Sequence, residues 1–569
     1  MSIKPSAKSV PQLCASTKLV PQGSSLTPEA QYALLALLFG IGFFGYLMPA
    51  LGYFTMLPGD LGDTRFNSVI LEHCYQWLRG RVGQLWSPGF FYPFERVLGL
   101  SDNHFGSFWS YALLRGFGLT REMAYSGWFL LGTVLNFWVC WWALKRTGFS
   151  IVAAGAGAFT FAFALPMLHQ EGHAQLVYRF AIPLAFFAWY RVLAYRDPAS
   201  FSQTVFWCAV QFLCSIYLGV FLVYALIALL AAHVILRGSP WLYRRLNAWG
   251  ASMPRDRRDW SWLVLALSGT VVVLLLLREY HQVSVDYQLV RSADDLRPLI
   301  PKPSSYLLAD NSSLTRWVGA GVAMFPERPE HQLFVGFGTA LLAGLGVYVA
   351  LRGRAMSAQL RALAQAAMMT LGLLVMSTLM LGDFSLYLWL AKLPGVDAIR
   401  AVSRIIVVML LPLAVLVAGG FEWLLRLSLQ PKMIKIMCAL VGTLILTIET
   451  VCYRPNHFSA QAGPARQAAL SLAIKTDLPK DAILFVTQRA SEPFYLTELD
   501  AMIYAQDHQI STLNGYSGST LAGYAHPDPC LPNDARLKGY FSFRAVLDAQ
   551  KQSLLARLQT VELEPCRTK

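Results

Sequence analysis

The chain has 569 residues, 55% hydrophobic and only 14% charged, with a mean hydropathy of +0.44. A soluble domain carries about a quarter charged residues, so these values exclude a disordered chain and place this one in a membrane. The formal charge of +14 suggests a polyanion surface at first sight, but its distribution among the spans accounts for it, and no nucleic acid is expected as a partner.

The first 30 residues are polar, with scattered Ser, Pro and Lys, and lack the apolar core and small-residue cleavage site of a signal peptide. The first span is therefore expected to stay as an anchor. Runs of about 20 apolar residues, the length a bilayer needs, recur to position 452. They give about eleven spans, near 31–54, 123–143, 151–168, 177–194, 203–218, 220–236, 261–278, 331–351, 362–381, 403–425 and 434–452. With the N-terminus cytoplasmic, the inside segments hold 19 basic residues against four acidic ones, Glu29, Asp197, Asp256 and Asp259, while the remainder holds 28 basic against 29 acidic. The whole positive excess then lies on one side, as the positive-inside rule requires. This orientation puts 55–122, 169–176, 279–330 and everything after 453 outside.

In chain order, Asn67 to Leu78 has apolar residues at helical spacing and reads as an amphipathic helix lying on the outer membrane face. Residues 107–118 are apolar but too short to cross, and suit an interfacial helix. The run 201–236 is too long for one span and is expected to turn at Ile216–Gly219. Segment 384–400, punctuated by Pro394 and Gly395, leads to Arg400 and Arg404 at the mouth of the next span. After Tyr453 hydropathy drops: 466–475 and 544–558 read as helices, 482–487 as a strand, and TLNGYSGSTLAGY as a loop region. The expected organisation is a polar tail over 1–30, an all-α polytopic membrane bundle over 31–454 with large loops at 55–122 and 279–330, and a small α/β domain over 455–569 on the extracytoplasmic side of an inner membrane. Cys140, Cys208, Cys214 and Cys438 fall in spans as small apolar fillers. Cys530 and Cys566 share an oxidising compartment and could pair, with Cys74 and Cys452 as competitors.

Three sets of residues can carry chemistry. The turn Gly59-Asp60-Leu61-Gly62-Asp63-Thr64-Arg65 places two carboxylates three residues apart, so that one can serve as general base while the other orients it or holds a cation; equally, an Asp there can cap the following helix. Asp63 is the better base, with Arg65 available to keep it ionised, and Asp60 suits anchoring the turn. The second set, His169, Glu171 and His173 followed by Tyr178 and Arg179, could bind a divalent cation such as Mg or Mn or manage protons, or simply supply interfacial polarity. The third is His104, Arg400 and Arg404 beside Asp397, cations suited to phosphate oxygens or to snorkelling toward headgroups.

This layout resembles the GT-C superfamily of integral membrane glycosyltransferases, and most nearly the YfhO-like bacterial multispan proteins. The matching stretches are GDLGD (59–63), LEHCYQWLRG (71–80), LWSPGFFYP (85–93), SDNHFG (101–106), GHAQLVYRFAIPLAF (172–186), AIRAVSRI (398–405) and NGYSG (514–518). The resemblance implies transfer of a sugar from a polyprenyl-phosphate carrier, with inversion, to an extracytoplasmic glycan, lipid or protein acceptor. It implies that the acid of the first outer loop, here Asp60 or Asp63, activates the acceptor, and that Glu171 and His173 sit where some relatives hold a metal. The carboxylates are spaced DLGD rather than DxD, which sets metal dependence apart from that pattern. Independently of any family, an anionic lipid-borne donor needs an outward cation for the leaving phosphate and a base for the acceptor. Arg400 and Arg404 offer the first and Asp63 the second, and no GxGxxG or P-loop is present. A lipid-linked oligosaccharide transporter and a non-catalytic assembly protein are the competing readings. Transporters place ionisable groups near mid-membrane, whereas here they cluster in the outer loops.

Overall fold

The computed structural model describes residues 26–564, apart from 196, 239, 242–255, 290, 353–355, 394–398, 427–431, 475–477, 490, 520 and 525–533. Helix α1 (Pro28–Ala50) leads through strand β1 (Met56–Pro58) into α2 (Asp63–Leu78) and the short α3 (Phe108–Gly116). The bundle continues with α4 (Arg121–Arg146), α5 (Ile151–Leu168), α6 (Ala174–Tyr195), α7 (Pro198–Cys214), α8 (Ile216–Arg237), α9 (Arg257–Asp286), α10 (Phe337–Arg352), α11 (Ala358–Thr378), α12 (Val402–Arg426) and α13 (Met433–Val451). Among the described residues, all of these but α2, α3, α7 and α10 are long and apolar enough to cross a membrane, nine helices in all. Helices α7 and α10, with 17 and 16 residues, occupy the places of the other two expected spans. The protein is an all-α polytopic integral membrane bundle.

The turn between α7 and α8 falls at Ser215, slightly before the expected Ile216–Gly219. The Ser215 hydroxyl donates to Asp102 at 2.6 Å, and the same carboxylate accepts the Ile216 N–H at 2.6 Å, so a half-buried acid caps α8 and fixes the break. Helices α5 and α12 form the buried centre, with α4, α10 and α11 packed around them. The closest approach uses glycine: a Cβ at Gly346 of α10 would fall 2.0 Å from the Leu416 carbonyl oxygen of α12, and one at Gly420 would meet the Leu342 oxygen at the same distance. Polar groups in this core are spent on helix ends. Glu449 accepts the Phe337 and Gly338 N–H groups that open α10, and the Arg179 guanidinium donates to the Phe161 and Ala162 carbonyls near the end of α5.

Beyond α13 the chain forms β2 (His457–Ser459), α14 (Ala462–Ala473), β3 (Ile483–Val486), α15 (Phe494–His508), β4 (Ser511–Thr512), α16 (Ala535–Arg544), α17 (Asp548–Ala556) and β5 (Leu558–Val561). A parallel sheet of order β4-β3-β5 carries the apolar β3 in its middle, and β2 pairs antiparallel with β1, tying this region to the exit of α1. The helix expected over 466–475 appears as α14, the strand at 482–487 as β3 and the helix at 544–558 as α17, with a loop after Thr512, while α15, α16, β4 and β5 are additions. Helix α2 is a correction. It is helical as its spacing predicts, but it is not a surface helix: Thr64 through Gln76 are buried, covered by α15 on one side and α3 on another. Its polar residues are satisfied inside that cover, Arg65 by Asp500 and Glu72 by Arg115 and Tyr111. Cys74 and Cys452 are free thiols, and Cys530, Cys566 and Asp397 lie outside the described residues.

Candidate functional site

The β1–β2 pair delivers the 59–63 turn against the 169–173 turn. Gly59 has φ +92°, its N–H donates to the Asn456 carbonyl at 2.7 Å, and a Cβ there would lie 2.6 Å from Gly172 Cα, so only glycine permits the approach. The two neighbouring acids then part company. Asp60 Oδ1 accepts the N–H groups of Gly62 at 2.8 Å and Asp63 at 2.9 Å, closing the turn at the start of α2. Asp63, the first residue of α2, keeps a 35% exposed carboxylate, in which Oδ1 accepts the Tyr516 hydroxyl at 3.0 Å and Oδ2 lies 3.8 Å from His173 Nε2.

His173 Nε2 also lies 3.1 Å from Glu330 Oε1, and Arg404 grips Glu330 through Nη2 at 2.6 Å and Nε at 3.0 Å. The Arg404 guanidinium lies over the Tyr217 ring, 5.5 Å from its centroid. Burial alone would raise the Glu330 carboxyl, but the charges of Arg404 and His173 outweigh it and hold it well below the usual carboxylate range. The result is a chain of carboxylate, imidazole, carboxylate and guanidinium drawn from four distant segments, with a tyrosine from a fifth. Such a chain can orient the imidazole and leave Asp63 as its solvent-facing end.

Asp63, His173 and Arg404 therefore come together, and Asp60 supports them through the backbone. Arg400 is exposed beside them, its N–H donating to the Tyr217 hydroxyl at 3.1 Å. Arg404 is not a free phosphate fork, since two of its nitrogens are spent on Glu330. Arg65 is not the counter-ion of Asp63: positions two apart on a helix face opposite ways, and Arg65 bonds Asp500 at 2.5 Å. His104 is not an outward cation. It is buried, hydrogen-bonded to Asn67 at 2.7 Å and edge-on to Trp128, and burial pushes its pKa down to about 3. Glu171 turns inward, accepting the Tyr46 hydroxyl at 2.9 Å and the Asn456 N–H, and burial raises its pKa to about 8. His169 is half-buried, edge-on to Tyr453, and desolvation lowers its pKa to about 4. The side chains of Asp60, Glu171 and His173 thus have separate partners and do not fit a shared cation site. No group of three His, Cys, Asp or Glu side chains suited to a metal occurs among the described residues.

Two contributors were missed in sequence. Glu330 sits in a loop with no local pattern to mark it. Tyr516 lies in the NGYSG stretch, whose resemblance flagged the loop but not the residue's partner. Phe494 and Tyr495, at the start of α15, join Tyr516 in an aromatic group beside the acid turn, with Tyr495 and Tyr516 ring centroids 6.0 Å apart.

No protein-family model matches the chain, and no curated protein matches it. Among solved structures, ArnT from Cupriavidus metallidurans in the apo state is 12% identical, with a TM-score of 0.34, over 92% of this chain and 90% of that one. The same protein bound to undecaprenyl phosphate is 13% identical at TM-score 0.33 over 85% and 89%. The Archaeoglobus fulgidus oligosaccharyltransferase, in complex with Zn and sulfate, is 13% identical at 0.36 over 84% of this chain and 62% of its own.

Proposed function

We propose that the protein is a membrane glycosyltransferase that moves a sugar from a polyprenyl-phosphate carrier to an acceptor hydroxyl on the outer side of the membrane. The observation that carries this reading is the Asp63 carboxylate. It is part-exposed, lies 3.8 Å from the imidazole of a His–Glu–Arg chain, and stands at the end of the bundle where an aromatic group from the C-terminal region meets it. Asp63 takes the acceptor proton as the acceptor oxygen bonds to the anomeric carbon. The bond from that carbon to the phosphate oxygen breaks with its electron pair on the phosphate, which inverts the configuration. Arg400, exposed and joined to Tyr217 through its backbone N–H, is the candidate to receive the phosphate charge, while Arg404 acts as a positioning residue through Glu330. Phe494, Tyr495 and Tyr516 offer the apolar faces on which a sugar ring can rest.

The test is turnover of a polyprenyl-phosphate sugar by purified protein. Asp63→Asn should lower the rate about 10²–10⁴-fold, the usual loss for a general base, with insertion and thermal stability retained. Full activity in that variant would overturn the assignment.

A further inference from the structure

Asp63 and Arg65 lie about 200° apart around α2, at about 100° per residue. Asp63 serves the cluster described above. Arg65 instead lines a separate cavity of about 350 Å³, bounded by α2 and by the beginnings of α4 and α14. Thr64 and Ser68 line it from the same face of α2, and Arg121, Gly463 and Asp507 close it from the other sides.

Two observations on this cavity point to a missing acceptor. Arg65 is only 4% exposed, and while Nη2 bonds Asp500, its Nε and Nη1 have no hydrogen-bond partner. A buried donor left open costs about 1–3 kcal/mol, so such a group calls for something to satisfy it. The second observation is that α14, a helix of 12 residues, starts on the cavity with no side-chain cap at Gln461. A Cβ at Gly463 would stand 3.9 Å from Arg65 Nε, ordinary van der Waals contact, so the open guanidinium nitrogen lies beside the positive end of the helix and a side chain at 463 has room to enter the cavity. The nearby acids are already held: Asp500 by Arg65 and Arg466, and Asp507 by Arg121. Glu122 also lines the cavity, so overall charge there is close to balanced, and what is lacking is an acceptor rather than bulk negative charge. Burial depresses the Arg65 pKa, and the charges of Arg466 and Arg121 depress it further, a burden that a bound anion would relieve.

We propose that this cavity binds a phosphate group, which accepts from Arg65 Nε and from the Ala462 and Gly463 N–H groups that open α14, and so clamps the C-terminal region onto α2. The phosphate can come from a lipid headgroup or from solution. Thermal unfolding of the full chain in phosphatidylcholine nanodiscs separates these sources, using inorganic phosphate against chloride at equal ionic strength in one arm and nanodiscs containing phosphatidate in the other. A ligand that binds only the folded state raises the Tm with concentration. The Tm should rise in at least one arm, and the half-maximal concentration should increase by about tenfold or more in Arg65→Met. Gly463→Glu leaves the Arg65–Asp500 pair in place and puts a carboxylate in the cavity, so it should raise the Tm without phosphate and abolish the response. It decides the matter even if Arg65→Met does not fold. A response to free phosphate assigns a soluble ligand, and a response to phosphatidate alone assigns a headgroup. No response in either arm, or an undiminished response in Gly463→Glu, would overturn the proposal.

Discussion

Two parts of the molecule use the same three ingredients, a carboxylate, a guanidinium and a tyrosine, to opposite ends. In the C-terminal region Glu498 is fully buried. Its Oε1 accepts Arg536 Nη2 at 2.6 Å and Gln488, and its Oε2 accepts the Gly515 N–H at 2.6 Å, Arg536 Nη1 at 3.0 Å and the Tyr524 hydroxyl at 3.3 Å. At the mouth of the bundle Glu330 and Arg404 make a similar pair, but the chain runs on through His173 to an Asp63 that is 35% exposed. In the first group the carboxylate is saturated, and what is left open, Arg536 Nε and Gln488 Oε1, is buried away from solvent, so the group holds shape. The second has acceptor capacity left over, which is what a reaction needs. They are also connected: Glu498 fixes Gly515, and the next residue, Tyr516, donates to Asp63. The closed group therefore aims a member of the open one.

Breaking the closed group should have the largest effect on stability. Glu498→Gln leaves the Arg536 guanidinium buried without its counter-charge and sets an amide N–H donor where an oxygen accepts. Removing one partner of such a pair costs about 3–5 kcal/mol, read as a lower Tm or denaturation midpoint. A loss below about 1 kcal/mol would mean that the pair is solvated and the contrast with the open group false.

A buried acid with no guanidinium sharpens the comparison. Glu171 has Tyr46 and Asn456 as donors and, among the described residues, no ion-pair partner, and burial raises its pKa from 4.5 to about 8. Since the folded-state value lies above the unfolded one, folding takes up a proton across this interval. The contribution is full below about pH 4.5, declines as the pH rises, and is lost once it passes about 8. It amounts to no more than a few kcal/mol. Stability of the wild type should fall from pH 5 to pH 8, and Glu171→Gln should flatten that slope. An identical slope in the variant would show that Glu171 is ionised in the fold.

What the sequence revealed follows the range of each interaction. Spans are set by local hydropathy, so every expected span has a helix, and the break inside 201–236 appears within a residue or two of its expected place. The elements of the C-terminal region with clean patterns, α14 and β3, were legible for the same reason. Helix α15 was not, because its buried face carries Glu498 and Asp500 as well as apolar residues. The burial of α2 was hidden too, since its polar residues look solvent-facing until Asp500 and Arg115 are found across from them. In the site, Asp63, His173 and Arg404 were each marked by their own short segments. Their connection runs through Glu330 and Tyr516, partners separated from them by tens to hundreds of residues, which no local pattern encodes. Arg65 was misassigned because closeness in sequence stood in for closeness in space.

The smallest expected effect tests the division of labour inside the acid turn. Asp60 and Asp63 are three residues apart, yet the Asp60 carboxylate accepts from two backbone N–H groups, whereas Asp63 meets side chains from two other segments. An oxygen that caps a turn contributes about 1 kcal/mol, and its loss frays the first turn of the helix without removing any group from the reaction. Asp60→Ala should thus lower stability by about 1 kcal/mol and reduce turnover only modestly, through looser placement of Asp63, and Asp60→Asn should recover most of both, because its amide oxygen can accept the same two bonds. If Asp60→Asn instead abolishes turnover while Asp63→Asn retains it, the carboxylate that meets Tyr516 and His173 is the positioning group, and the capping one, itself exposed, is the base. The side-chain partners of Asp63, against the backbone N–H partners of Asp60, favour the first outcome.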